Sequence, residues 1–207
     1  MTNGADKLAE RILQQAHNKT RFIVAIAGPP GAGKSTLADE LVEVLRAREE
    51  TAEVLPMDGF HMDDGVLRQK GLLPRKGAPS TFDLRGFIDI LQAVRAAEGE
   101  VLVPVFDRSR ELAIAAARII APATRFVIVE GNYLLLDQAP WASVAGFFDL
   151  SIAIDPPRSV LHARLMDRWR SYGFDEEAAR AKTEGNDLRN ADVIAQHSRP
   201  ADIVISH

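Results

Sequence analysis

Short apolar runs alternate with stretches of helical periodicity along most of the chain. That is the pattern of successive β–α units around a mostly parallel sheet. Phe22–Ala27 is apolar at every position, as expected of a strand covered on both faces. Glu53–Met57, Phe126–Val129 and Leu150–Ile154 have similar character, and Ile203–Ile205 supplies a last short strand. Helices are predicted over 5–18, 34–48, 157–171, 175–182 and 187–197. Between Asp83 and Gly99, the apolar residues Leu84, Phe87, Ile88, Leu91 and Val94 recur at helical spacing behind an aspartate suited to N-capping. Val101–Phe106 and Arg118–Ile120 read as two short strands of an excursion from the main sheet. Residues 60–80 carry several glycines and prolines and little periodicity, which predicts a loop with a short helix. With no repeat, low-complexity tract or linker, residues 1–207 are expected to form a single α/β domain.

Composition narrows the class. A chain of 207 residues can bury roughly 70% of its unfolded surface, so it needs no covalent staple. The absence of cysteine removes disulfides, thiolate nucleophiles and cysteine zinc sites together. The first residues lack a basic start followed by an apolar core, and no stretch reaches the ~20 apolar residues of a membrane span. A net charge of -4 argues against a nucleic-acid coat. The expectation is a soluble, cytoplasmic protein with no membrane or nucleic-acid partner.

The sharpest local feature is Gly28-Pro29-Pro30-Gly31-Ala32-Gly33-Lys34-Ser35-Thr36, which fits G-x-x-x-x-G-K-[ST]. It follows an apolar strand and opens a helix, as phosphate binding requires. Glycines let backbone N–H groups turn towards a phosphate, and the helix N-terminus adds its partial positive charge. Lys34 would reach the β- and γ-phosphates of ATP, and the Ser35 hydroxyl would ligate Mg²⁺. Gly28, Pro29, Gly31, Ala32, Gly33 and Thr36 complete the expected nucleotide cradle.

Two acids stand at strand ends beside glycine: Asp58 in VLPMDGF and Glu130 in FVIVEGN. Ligands of open α/β sheets sit outside such ends. Phosphoryl transfer to an alcohol needs a carboxylate to accept the hydroxyl proton and acids to hold the metal. Asp58 is the candidate base, Glu130 stands where a metal-holding acid would, and both remain candidates for Mg²⁺.

Together, GPPGAGKST, MDGFHMDD, GLLPRKGAPSTFD, PVFDRS, VEGNYLLLD and EGNDLRNADVI resemble P-loop kinases of the phosphoribulokinase/uridine kinase/pantothenate kinase group. Within it, the resemblance is nearest to bacterial fructose transport system kinase-like proteins. It implies a three-layer α/β/α fold, a five-stranded parallel sheet in the order 2-3-1-4-5, and a small helical lid over about 164–186. It also implies ATP-dependent phosphorylation of a hydroxyl on a small metabolite, such as a sugar, with nucleosides, pantothenate and glycerate as alternatives. The MDGFH segment departs from the aspartate-serine-phenylalanine-tyrosine run of uridine kinases and is nearer the form of pantothenate kinases, which are much longer. A nucleotide-hydrolysing switch is the rival class.

Further candidates lie around these motifs. Arg75 and Lys76 could orient an anionic or polyhydroxylated substrate, and His61 could meet a substrate hydroxyl. Asp107, Arg108, Asn132 and Tyr133 are further substrate candidates. Arg164 and Arg168 share one helix face, and the resemblance makes them lid arginines that neutralise charge on the transferring group. Asn186, Asp187 and Asn190 belong to the tail motif and are placed either near the nucleotide base or at a helix cap.

Overall fold

In the computed structural model, residues 4–206 are described. Helix α1 (Gly4–Gln15) precedes strand β1 (Phe22–Ala27), and α2 (Lys34–Ala47) leads to β2 (Ala52–Pro56). A 3₁₀ turn, Met57–Phe60, opens a long connection that holds α3 (Asp64–Gln69) and α4 (Leu84–Ala96). Strands β3 (Val101–Asp107) and β4 (Leu112–Ile120) form an antiparallel hairpin, after which β5 (Phe126–Gly131) returns to the main sheet. Then come β6 (Leu150–Ile154), α5 (Arg158–Ser171), α6 (Glu176–Lys182), a π-helical turn at Thr183–Asp187, α7 (Leu188–His197) and β7 (Ile203–Ile205).

The main sheet runs β2-β5-β1-β6-β7, and every neighbouring pair is parallel. Counted among its own five strands, the order is 2-3-1-4-5, as the resemblance implied. Alternate residues of β1 serve two cores. Phe22, Val24 and Ile26 pack with Ala38, Leu41 and Leu45 of α2, while Ile23, Ala25 and Ala27 face the layer holding Phe87, Leu91 and Val94 of α4. Burial on both faces is why the strand is apolar throughout. No helix among the described residues is long and apolar enough to cross a membrane.

Two boundaries differ from expectation by more than two residues. Helix α1 ends at Gln15 rather than at 18, and Asn18 adopts a left-handed backbone. The second excursion strand extends back to Leu112, through an alanine-rich segment that was expected to contribute only Arg118–Ile120. Alanine favours helix, but pairing of Leu112–Ile114 with Val105–Asp107 overrides that local preference.

Asp149 fastens the sheet where β6 begins. Its carboxylate accepts from the Ile23 backbone N–H at 2.8 Å, from Lys19 at 2.9 Å and from Arg95 of α4 at 2.8 Å. Burial favours protonation, but these donors outweigh it and hold Asp149 below the usual carboxylate range. A depressed folded-state pKa contributes stability above the unfolded value, near 3.9, which is lost as pH falls through the folded value. Asp149→Asn should therefore lower unfolding free energy by about 2 kcal/mol at pH 7 in urea titrations, a gap that shrinks below about pH 4.

Candidate active site

The loop 28–33 turns the chain from β1 into α2. Gly31 and Gly33 have φ of +80° and +97°, and Gly33 caps the helix in the left-handed region, which a Cβ would disfavour. The fourteen-residue α2 therefore presents its N-terminus to a cavity of about 720 Å³. Pro30, Gly31, Gly33, Lys34, Ser35 and Thr36 line that cavity. Gly28, Pro29 and Ala32 shape the loop from behind. A Cβ on Gly28 would come within 2.6 Å of the Ile154 carbonyl, Ala32 is buried, and the Pro29 carbonyl accepts from Lys34 Nζ at 3.0 Å.

Lys34 is buried, and desolvation pulls it down to about 8 against the opposing pull of Glu130 and Asp58. These two carboxylates arrive on adjacent strands. Pro56 pairs with Glu130, and Asp58 lies two residues beyond Pro56 on the 3₁₀ turn. The glycines after the acids permit close packing. A Cβ on Gly131 would lie 2.5 Å from the Met57 Cβ, and one on Gly59 would collide with the Pro104 carbonyl of the hairpin. Burial and the Asp58 charge push Glu130 up to about 7, opposed by Lys34, Arg108 and a hydrogen bond from Ser35. Burial also works against ionised Asp58, but Arg108, His61 and Lys34 outweigh it and hold this carboxyl below its ordinary range.

No group of three or more metal-ligating side chains converges among the described residues. One hydroxyl and two carboxylates, Ser35, Glu130 and Asp58, lining the same cavity suit a hard cation that takes its other ligands from phosphate and water. Mg²⁺ fits such a donor set.

Beside Asp58, the same cavity is lined by His61, Lys76, Phe106, Arg108 and Asn132. The imidazole of His61 lies between Phe82 and Phe106, at centroid distances of 4.1 and 4.6 Å. His61 Nδ1 donates to the Asp58 backbone carbonyl at 2.8 Å, and burial lowers the ring's pKa. The ring is thus neutral at pH 7, with Nε2 as an acceptor. Arg108 donates to Asp58 Oδ2 in an ion pair. Lys76 is bound to Asp64 at 2.8 Å and to Glu111 at 3.5 Å.

Three expected substrate residues have other work. Tyr133 is fully buried, and its hydroxyl donates to the Gly77 carbonyl at 2.6 Å, which fixes the 75–79 loop from below. Asp107 accepts from Ser109 N, Ser109 Oγ and Arg110 N, so it closes the hairpin turn. Arg75 donates to the Gly185 carbonyl and to Asn190 Oδ1, and does not line the cavity. The ties of Tyr133 and Arg75 join segments far apart in sequence and that of Asp107 closes a local turn, and the one-dimensional pattern displays none of them.

Helix α5 lies across the phosphate loop. Leu165 packs on Gly31, and Arg164 reaches the Gly31 and Ala32 carbonyls at 3.4 and 3.3 Å. Arg164 and Arg168 both line the cavity. So do Asn186, Asp187 and Asn190, although Asn186 also donates to the Lys76 carbonyl at 2.7 Å. Asp187 is buried and accepts from Trp169 Nε1 at 2.7 Å. Trp169 and Tyr172, which sequence reasoning missed, stand on the same wall. Their signal was available as two aromatic residues beside the α5 arginines.

The Phosphoribulokinase / Uridine kinase family model matches residues 23–207. The Escherichia coli protein YggC is 36% identical over 196 residues, covering 93% of this chain and 81% of that protein. A pantothenate kinase of Paenarthrobacter aurescens is 30% identical over 166 residues, covering 76% of this chain and 51% of its own length. Among solved structures, a "putative fructose transport system kinase" from Silicibacter sp. TM1040 superposes with a TM-score of 0.93 at 42% identity, covering 99% of this chain and 100% of that one.

The Gly131–Met57 contact can be tested directly. Gly131→Ala should destabilise the protein by about 1–3 kcal/mol in urea unfolding, because the added methyl forces the two acid-bearing turns apart.

Proposed function

Because the chain belongs to the phosphoribulokinase/uridine kinase family and is an ATP-dependent kinase, we propose that it phosphorylates a hydroxyl of an uncharged, polyhydroxylated small molecule, a sugar such as fructose. The observation that carries this reading is the state of the cations beside Asp58. Arg108 is paired with Asp58, and Lys76 is held between Asp64 and Glu111. An acceptor carboxylate or phosphate would find both cations already neutralised by carboxylates, and those carboxylates would repel its own charge. A neutral polyol instead meets groups suited to it: Asp58 Oδ and His61 Nε2 accept from hydroxyls, and the Phe106 ring offers an apolar face. The name of the 42%-identical Silicibacter protein agrees with a sugar acceptor.

In this reading the backbone of residues 30–36 and Lys34 hold the triphosphate. Ser35 and Glu130 would hold Mg²⁺, which draws charge from the phosphate oxygens when bound. Asp58 accepts the proton as the acceptor oxygen attacks the γ-phosphorus, and the bond to the β-phosphate oxygen breaks. Arg164 and Arg168, on a lid spanning about 164–186, face the negative charge of the moving group. The whole chain, 1–207, then acts as one kinase domain.

A panel of sugars, nucleosides, glycerate and pantothenate, screened by ADP release, should show turnover with a sugar. Turnover with nucleosides or carboxylates alone would reject the sugar assignment, and ATP hydrolysis that no acceptor stimulates would favour a switch. With the active acceptor, Asp58→Asn should keep nucleotide affinity while turnover falls by about 10²–10⁴-fold. Unchanged turnover would remove Asp58 from the role of base.

A further inference from the structure

The hairpin places a cation on the candidate base. Arg108 stands where β3 leaves the hairpin pairing, fifty residues from Asp58 in sequence, yet its guanidinium donates to Asp58 Oδ2. Two arrangements aim it there. The hairpin's base is seated on the acid-bearing turn, where Gly59 meets the Pro104 carbonyl without a side chain between them. Its tip is closed by Asp107, through three hydrogen bonds to Ser109 and Arg110. Asp58 is largely buried, whereas Arg108 is 46% exposed at the cavity mouth. The acid is therefore fixed and the arginine is the partner with room to leave.

We propose that Arg108 is a positioning residue that occupies Asp58 in the acceptor-free enzyme and so suppresses transfer of the γ-phosphoryl group to water. The inference rests on Asp58 being the base. Oδ2 of Asp58, which accepts from the guanidinium, is less available to water, and the adjacent positive charge lowers the basicity of the carboxylate as a whole. A correctly bound polyol brings its own hydroxyl to Asp58 and has the remaining contacts, His61 Nε2 and the Phe106 face, to displace the guanidinium. Water has no such contacts. Arg108 stands within electrostatic reach of Lys34 and Glu130, beside the region where charge builds on the transferring group. Both reactions balance in the same way. The O–H proton goes to Asp58, an O–P bond forms at the γ-phosphorus, the bond to the β-phosphate oxygen breaks, and ADP leaves. They differ only in whether the attacking oxygen belongs to the acceptor or to water.

The test needs no knowledge of the acceptor. With Mg·ATP alone, Arg108→Gln and Arg108→Met should each raise acceptor-free ADP release about tenfold or more over wild type, the scale of one charged hydrogen bond. Arg108→Lys, which can still pair with Asp58, should stay near the wild-type rate. A side chain that only stabilised the hairpin would not give this pattern. Acceptor-free hydrolysis that is unchanged or lower in both neutral variants overturns the proposal and leaves the role of Asp58 untouched. The double variant Asp58→Asn/Arg108→Met separates the two ideas. It should return to the low rate if Asp58 activates the water, and a persistently high rate would reject Asp58 as the base even though Arg108 suppresses hydrolysis.

Discussion

Pro56 on β2 lies opposite Glu130 on β5, and beyond that pair Gly131 receives Met57 with no Cβ in the way. This contact brings Asp58 and Glu130 to the same buried place, with Lys34 arriving from the first turn of α2. Two carboxylates and one ammonium then share a region from which water is largely excluded. Their charges cannot all be independent there. Burial and its neighbour raise Glu130 to about 7, while the cations hold Asp58 ionised. Similar side chains at similar strand ends therefore acquire different electrostatic settings, one raised by burial and by its neighbour's charge, the other held down by Arg108, His61 and Lys34. The difference arises from packing rather than from residue type.

The wall opposite the phosphate loop is a clasp of three segments. Arg75 reaches Gly185 and Asn190, Asn186 reaches back to Lys76, and Tyr133 supports Gly77 from the core. Lys76 extends the clasp to the hairpin through Glu111. Segments distant in sequence are thus tied by side-chain-to-backbone bonds around the cavity. The π-helical turn at Thr183–Asp187 belongs to this arrangement, since its wider turn places both Asn186 and Asp187 on the cavity side. Cations that look available for substrate in the sequence are here part of the wall.

The legibility of the chain follows from how local each signal is. The phosphate loop could be read because its chemistry requires glycines, a lysine and a hydroxyl at fixed spacing. The strands of the sheet could be read because burial on two faces demands unbroken apolar runs. The acid–glycine pairs could be placed because they follow those runs directly. Arg75, Asp107 and Tyr133 resisted the same treatment. Their partners, Asn190, Ser109 and Gly77, are set by tertiary packing or by a turn whose closure the composition does not announce. Trp169 and Tyr172 were passed over for the opposite reason. Aromatic residues on a helix are usually core, and only the fold shows that this helix lies across the phosphate loop.

The hairpin joins these two levels. Its strands show a register shift between Val103 and Val105, at the position where Pro104 meets Gly59. A shift of this kind bends and twists the bulged strand, which here sends the hairpin from the base turn out over the cavity mouth. The base of the hairpin is therefore fixed to the element that carries Asp58, while its tip carries Arg108 and, through Glu111, holds Lys76. Phe106, Arg108 and Glu111 of this hairpin all line the cavity together with Asp58. The same few residues of one hairpin thus supply part of the cavity lining and the ion-pair partner of Asp58, so that the fold couples the shape of the cavity mouth to the charge around this carboxylate.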